Sequence, residues 1–242
     1  MKKEKLTLIE HLAELRKRLF LGAASLIVAS AVSYFYVESI VKNILGLSEK
    51  YDFIYLSPAE LFLSYIKLSV IIGAAISAPI ILLQLWVFVK PGLKKQEKKY
   101  ILVSLIGGSL LFFLGVIFCY RVVIPFTLEF FSKMNIDEIK AAISFDSYLS
   151  FITSMLLSFG IVFELPVIML LLSYFGILKS AFLKKNGKYA ILIIFVVAAI
   201  ITPPDVVSQV LIAVPMVLLY QLGYFFTKLI ERKRKKNLAL RS

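Results

Sequence analysis

The sequence predicts an all-α membrane protein with six transmembrane helices in a kinked, concave bundle, and three observations support this prediction. First, 60% of the 242 residues are hydrophobic and the mean hydropathy is +0.89, whereas soluble domains are about 45–50% apolar. Second, several apolar runs approach or exceed the roughly 20 residues that a helix needs to cross about 30 Å of hydrocarbon. Third, four runs contain an internal proline, which removes a backbone hydrogen bond and bends a helix. These prolines are Pro79, Pro125, Pro166 and Pro215.

Six apolar runs define the predicted spans. They cover residues 19–37, 61–89, 100–131, 148–178, 189–202 and 206–227. We interpret residues 1–242 as a single integral membrane domain. Within it, residues 1–18 are charged and amphipathic, which favours a helix at the membrane interface that leads directly into the first span. Residues 228–242 form a basic tail.

The distribution of basic residues predicts the side on which each loop lies. Residues 1–18, 90–99, 176–188 and 228–242 carry 6, 5, 4 and 7 Lys and Arg residues, which is 22 of the 28 in the chain. The loops at 38–60 and 132–147 carry 4, and 7 acidic residues outnumber them there. Because cytoplasmic loops are enriched in Lys and Arg, we expect both termini in the cytoplasm. The net charge of +13 then reflects topology and contact with anionic lipid, not nucleic-acid binding.

Capping motifs mark two helix starts. Thr7 and Glu10 form one Thr-x-x-Glu capping box, and Ser57 and Glu60 form a Ser-x-x-Glu box ahead of the second span. In this motif the first side chain accepts a hydrogen bond from the backbone N–H three residues later. Pro58 follows Ser57 at the first helical position, where the missing proline N–H costs nothing.

The fifth span is short. Residues 189–202 make 14 residues, or about 21 Å of helix, against about 30 Å of hydrocarbon. Pro203 and Pro204 end this helix, and Asp205 is a suitable N-cap for the sixth span. We expect the last two spans to form a shallow hairpin in a locally thinned membrane; the alternative is that flanking residues complete the span.

Glu164 lies near the middle of the fourth span, where a charge costs about 3 kcal/mol on insertion scales. One interpretation is structural, because Pro166 leaves the Val162 carbonyl without its helical donor. The other is a binding or proton-linked site, and we favour it because intramembrane ionisable groups usually face an interior or a path. Thr202 and Gln209 are candidate polar neighbours.

Two acidic residues on the basic side are candidate receptors for cations. Glu14 lies in the first helix and Glu97 lies between two lysine pairs in the loop after the second span. Ordinary ion pairs, such as Glu14 with Arg18 at a spacing of four, are the simpler interpretation. The functional interpretation is that the two carboxylates receive guanidinium groups, which bind carboxylates in a bidentate fork that lysine cannot copy.

The chain is poor in catalytic and metal-binding residues. Cys119 is the only cysteine and His11 the only histidine, so neither a zinc site nor an internal disulfide can form. We therefore expect no cofactor, no metal and no enzymatic activity.

Five segments together resemble the TatC family, the multispanning core of the twin-arginine protein translocase. They are HLAELRKRL (11–19), SPAE (57–60), PIILLQLWVFVKPGLKKQE (79–97), FGIVFELP (159–166) and TPPDVVSQ (202–209). The resemblance runs from about residue 7 to about residue 226. It implies Sec-independent translocation of folded proteins across the prokaryotic plasma (inner) membrane, driven by the proton-motive force. The implied partners are twin-arginine signal peptides, single-span TatA- and TatB-type subunits, further TatC copies and the lipid bilayer.

The resemblance also implies roles for individual residues. Glu14 and Glu97 would contact the signal-peptide arginines, Arg16 would lie in the same patch, and Phe88 and Pro91 would border it. Glu164 would face the concave side, while Gln209 and Thr202 would complete a polar site for the transmembrane helix of a partner. Asp205 and the outer loops would support a periplasmic cap. The remaining matched residues are structural caps and kinks: Ser57, Pro58, Glu60, Pro79, Pro166, Pro203 and Pro204.

An alternative function is that of an ion-coupled secondary transporter with Glu164 as proton carrier. Transporters of this class often contain internal repeats with paired broken helices. The two halves of this chain lack a convincing repeat, and one deep carboxylate stands alone. Uptake of a small solute by the purified protein would favour the transporter.

Overall fold

The structure is a computed structural model that describes residues 8–48, 52–92, 95–133, 142–201 and 206–239. The described helices are α1 (Leu8–Phe35), α2 (Val37–Leu45), α3 (Pro58–Val89), α4 (Lys95–Phe118), α5 (Ile124–Lys133), α6 (Phe145–Phe163), α7 (Leu165–Tyr174), α8 (Ser180–Lys185), α9 (Gly187–Ile201) and α10 (Val206–Ala239). Two short strands, β1 (Asp52–Ile54) and β2 (Ala142–Ser144), pair in parallel. The chain divides into two compact units, residues 1–42 with 57–109 and residues 43–56 with 110–242.

Five described helical segments are long and apolar enough to cross a membrane. They are Glu10–Phe35, Pro58–Val89, Tyr100–Lys133, Phe145–Tyr174 and Gln209–Arg232. A sixth apolar helix, Gly187–Ile201, is shorter. Large apolar side chains are exposed along these segments, such as Phe20 at 73% and Ile200 at 79%, as a lipid-facing surface requires. These findings confirm the all-α, multi-span prediction.

In the first unit, α1 and α3 pack against each other along their length. Gly73 allows a close approach, because a Cβ added there would lie 2.6 Å from the backbone N and Cα of Ser30. A Cβ added to Gly22 would make an ordinary contact with Ile81 at 3.7 Å. Residue numbers rise on one helix as they fall on the other, so the helices are antiparallel. The N-terminal end of α1 therefore lies beside the C-terminal end of α3.

In the second unit, a buried hydrogen bond, a contact between two rings and a helix cap connect the segments around β1 and β2. The buried Tyr148 O–H donates to the Ile44 carbonyl at 2.9 Å, and Phe53 packs against the Tyr148 ring with centroids 4.6 Å apart. Ser144 caps α6 by accepting from the Ser147 N–H. The apolar periodicity of the sequence did not predict these strands, because each is only three residues long.

Pro125 reshapes the third span. It cannot donate to the Arg121 carbonyl, and the chain forms a single π-helical turn over Cys119–Val123 in which Ile124 N–H donates to the Cys119 carbonyl. This turn adds one residue to the helical repeat, so that Cys119 and Ile124 are both buried. Pro79 and Pro215, in contrast, lie inside the continuous helices α3 and α10.

Pro166 interrupts the fourth span as predicted. Helix α6 ends at Phe163, Glu164 lies at the junction, and α7 begins at Leu165. Helix α7 packs on α10, where a Cβ at Gly223 would lie 2.5 Å from Met169 Sδ and 3.3 Å from Pro166 Cα. This contact places the α6–α7 junction beside Gly223 of α10.

The short fifth span is also confirmed. Helix α9 contains 15 residues, which is about 22 Å, and the next described residue after Ile201 is Val206. The predicted residues Thr7, Thr202, Pro203, Pro204 and Asp205 lie outside the described part of the chain.

Candidate functional site

One end of the α1–α3 pair brings several side chains together around Glu14. The His11 ring stacks on Phe88 with centroids 4.3 Å apart and an interplanar angle of 15°. Two turns further along α1, Arg18 Nη1 donates to Gln84 Oε1, one turn before Phe88 on α3, at 3.1 Å. Residues three and four apart share a face of a helix, so Glu14 lies on the face that carries His11 and Arg18. We call His11, Glu14, Arg18, Gln84 and Phe88 the Glu14 face.

Glu14 is partly withdrawn from solvent and makes one contact with a cation. Its side chain is 22% exposed, and Arg18 Nη2 donates to its Oε1 at 3.4 Å. The predicted pair at a spacing of four is therefore present. The second oxygen, Oε2, has no contact with a cation in the described part of the chain. A carboxylate of this kind can accept further donors.

The structure brings some of the predicted patch together. Phe88 is half-buried on the Glu14 face, and Pro91 follows in a 3-10 turn over Lys90–Gly92, where it is exposed. Lys90 Nζ lies over the Trp86 ring at 4.7 Å. Arg16 is exposed and lies two residues from Glu14, about 200° around the helix, so it is on the opposite side of α1 and not on the Glu14 face.

Glu97 lies in the first turn of α4. Its side chain falls outside the described set, but its backbone follows Pro91 by six residues, a reach of at most about 20 Å. Glu14 and Glu97 therefore belong to the same end of the same unit. That the two carboxylates receive neighbouring guanidinium groups stays a prediction from the sequence.

Glu164 lies at the α6–α7 junction. Its backbone N–H donates to the Ile161 carbonyl at 3.1 Å, and its carbonyl accepts from Ile168 N–H at 2.9 Å. Among the described residues, no hydrogen bond or ion pair reaches its carboxylate. A bond from that carboxyl to the Val162 carbonyl, the structural interpretation, is not present.

Gln209 makes a bond within the last hairpin and not with Glu164. Its Nε2 donates to the Phe195 carbonyl at 2.9 Å, joining α10 to α9. Gln209 precedes Gly223 by 14 residues, about 21 Å along the helix, and the α6–α7 junction lies beside Gly223. The expectation of similar depth is therefore wrong: Glu164 and Gln209 do not form one polar cluster, because they contact different levels of α10.

The predicted cap of the second span is confirmed. Ser57 Oγ accepts from Glu60 N–H at 3.2 Å, and Pro58 is the first residue of α3.

Three residues that join helices through their side chains were not predicted as site residues: Gln84, Ser180 and Glu231. Glu231 accepts hydrogen bonds from both the N–H and the O–H of Ser180, tying α8 to α10. Ser180 and Glu231 are 51 residues apart, which explains why local sequence patterns could not reveal this contact.

The described residues contain no cluster of His, Cys, Asp and Glu that could hold a metal ion. The Glu14 face instead contains one half-buried carboxylate, that of Glu14. It fits recognition of cationic groups by hydrogen bonding.

Comparisons with known proteins agree on one family. The family model for the Sec-independent protein translocase protein TatC matches residues 10–215. A TatC from Helicobacter pylori (strain ATCC 700392 / 26695) is 45% identical over 94% of this chain and 89% of its own length. A TatC from Aquifex aeolicus (strain VF5) is 38% identical over 95% and 98%. A crystal structure of a twin-arginine translocase receptor, TatC, aligns with a TM-score of 0.78 and 36% identity, covering 91% of this chain and 99% of that one.

The matched family is a component of a protein translocase, not an enzyme. This assignment favours translocation over the alternative of an ion-coupled transporter. On the combined evidence of five long spans, one short span and a family match over most of its length, the chain belongs to the TatC family of Sec-independent protein translocases.

Proposed function

We propose that this chain is the receptor of the twin-arginine translocase, and that Glu14 and Glu97 bind the paired arginines of signal peptides. The observation that carries the proposal is the half-buried carboxylate of Glu14, which has one oxygen without a cation in the described part of the chain. Glu97 belongs to the same end of the same unit. Related solved structures are named as twin-arginine translocase receptors.

The chemistry of guanidinium explains a preference for arginine. Its planar fork donates two parallel hydrogen bonds to a carboxylate, while an ammonium group acts as a point charge. The partial burial of Glu14 strengthens its contact with any cation, because electrostatic contacts weaken with exposure to water. It favours arginine, because a guanidinium is more weakly hydrated than an ammonium group. The stacked rings of His11 and Phe88 form a flat border beside the carboxylate. The exposed Pro91 follows Phe88 at the same end, and Arg16 lies on the opposite side of α1.

In the proposed topology both termini lie in the cytoplasm of a prokaryote, and the protein resides in the plasma membrane. The basis is the concentration of Lys and Arg in the four inner segments. The 1–18 segment then presents Glu14 to the cytoplasm, where signal peptides arrive. The basic 228–242 tail contacts anionic headgroups.

The proposed complex includes single-span TatA- and TatB-type subunits and further TatC copies, with transport driven by the proton-motive force. Glu164 and the Gln209–Thr202 region are two separate polar positions for partner helices. Glu164 supports this role because its carboxylate lacks a described partner within a span, and polar groups at that depth associate with other helices.

The test is peptide binding to the purified full-length protein in detergent. Glu14→Gln and Glu97→Gln should each weaken binding of an Arg-Arg signal peptide by about ten- to 150-fold, as expected for the roughly 1.5–3 kcal/mol of a hydrogen bond to a charged group. Binding of a Lys-Lys peptide should be weak and change little. Glu129→Gln is the matched control, because Glu129 is an exposed acid paired with Lys133 at 2.7 Å and belongs to the other compact unit.

Unchanged affinity for the Arg-Arg peptide in both variants would refute the assignment of the two carboxylates. Equal losses for the Arg-Arg and Lys-Lys peptides would refute recognition by a bidentate fork.

A further inference from the structure

The hydrogen bonds of Arg18 point to a role that its position in an ordinary ion pair does not explain. The same guanidinium donates to Gln84 Oε1 on α3 and to Glu14 Oε1 on α1. Arg18 is 24% exposed, so this three-residue chain is partly withdrawn from water. An arginine of the protein itself therefore contacts the carboxylate proposed to receive an arginine of the signal peptide.

The two contacts of Arg18 differ in quality. The bond to Gln84, at 3.1 Å, has a normal length for an N–H donor. The contact with Glu14, at 3.4 Å, is longer than the roughly 2.7–2.9 Å of a charge-assisted bond and uses one oxygen. Arg18 Nε is buried and has no acceptor among the described residues. Gln84 Oε1 is therefore the nearer of the two acceptors, and the contact with Glu14 is not a fully formed charge-assisted bond.

We propose that Arg18 is an internal occupant of the Glu14 site, that an arginine of the signal peptide displaces it, and that Gln84 holds it away from the carboxylate. This inference rests on the proposed function. An incoming guanidinium can engage both oxygens of Glu14 in a bidentate fork, whereas Arg18 engages one. Displacement therefore exchanges a long single contact for two short ones.

The proposal assigns opposite effects to two residues that touch each other. Arg18 competes with the peptide, so its loss strengthens binding. Gln84 competes with Glu14 for Arg18, so its loss lets Arg18 turn fully onto Glu14 and weakens binding. A purely structural role for this chain of bonds would instead make both substitutions weaken binding.

The experiment measures the affinity of an Arg-Arg signal peptide for the full-length protein in detergent. Arg18→Gln should tighten binding about two- to fivefold, the range of a partly exposed ion pair, and Gln84→Leu should weaken it by a similar factor. Lys17→Gln is the matched control, because Lys17 is an exposed neighbouring cation whose removal changes the net charge equally. Its effect should be smaller than that of Arg18→Gln.

The Glu14→Gln background separates the two proposals. There, Arg18→Gln should no longer tighten binding, because no carboxylate remains to be freed. If the single variant Glu14→Gln binds like wild type, the assignment of Glu14, on which this inference rests, fails. If Glu14→Gln weakens binding but Arg18→Gln weakens it or leaves it unchanged, only the competition by Arg18 is overturned. Tighter binding by Gln84→Leu would overturn the role of Gln84, and this arm is independent of whether Arg18→Gln folds. Thermal unfolding of each variant verifies that the comparison is between folded proteins.

Discussion

At the scale of single residues, some polar side chains in the spans form a hydrogen bond with a backbone carbonyl of their own helix, and others do not. Thr127 Oγ1 donates to the Val123 carbonyl at 2.8 Å, and Thr153 Oγ1 donates to the Leu149 carbonyl at 2.7 Å. Hydroxyls of this kind need no external partner. Glu164 differs, because no described residue bonds its carboxylate although it lies within a candidate span. A group left in this state within a membrane is expected to meet a partner from outside the chain.

Glu164→Ala tests this expectation. The substitution removes no described contact of the side chain, so the unfolding temperature in detergent should fall by no more than about 2 °C, as for a change worth less than 0.5 kcal/mol. Cross-linking to single-span partner subunits, or export of a twin-arginine cargo, should decrease. Ser154→Ala, at an exposed position of α6, is the control. Wild-type cross-linking and export in Glu164→Ala would return Glu164 to a structural role.

At the scale of secondary-structure elements, the antiparallel register of α1 and α3 determines the Glu14 face. The closest approach lies at Gly73, where a Cβ would meet the Ser30 backbone. Backbone cannot move aside as a flexible side chain can, so a larger residue must separate the helices. Because His11, Arg18, Gln84 and Phe88 contact one another across the same pair, such a separation would also disturb the receptor face.

Gly73→Val should therefore destabilise the protein by about 1–3 kcal/mol, as overpacking typically does. The measurement is thermal or denaturant unfolding in detergent. Gly107→Val provides a matched control within a span, because a Cβ at Gly107 meets nothing within 4 Å. We also expect Gly73→Val to weaken binding of the Arg-Arg peptide while Gly107→Val does not. Equal stability of the two variants would contradict the assigned helix contact.

At the scale of the whole molecule, the spans differ in length. Segments such as Pro58–Val89, with 32 residues, reach about 48 Å, whereas α9 has 15 residues and reaches about 22 Å. A bilayer of about 30 Å cannot match both without tilt, snorkelling or thinning. The Gln209 bond to the Phe195 carbonyl joins α9 to α10, which limits how far α9 can shift on its own.

The protein should therefore be more stable in thin bilayers than in thick ones. We expect the unfolding temperature to fall as the acyl chains of phosphatidylcholine vesicles lengthen from 14 to 22 carbons, since mismatch costs a fraction of a kcal/mol per Å. Lengthening α9 by four apolar residues should move the optimum towards thicker bilayers. If stability does not depend on chain length, or if the lengthened variant has the same optimum, the thinning hypothesis is wrong.

The sequence by itself determined the class of protein, the number and order of the spans, and the main breaks within them. Apolar runs, prolines and caps act through the local backbone and the solvent, so residues such as Ser57, Pro58 and Pro166 have their effect wherever the chain folds. The same local logic predicted the short fifth span and the pair of Glu14 with Arg18.

Only the tertiary structure decided which helices share a depth and which side chains meet. It paired Arg18 with Gln84, which are 66 residues apart, and it separated Glu164 from Gln209 along α10. The strands β1 and β2, and the bond of Tyr148 to Ile44 across 104 residues, likewise depend on contacts between distant segments. Hydropathy constrains how deep a residue lies but not which neighbour it has, because lipid-facing and helix-facing positions are equally apolar. Close packing at glycines and individual hydrogen bonds determine which neighbour each residue has.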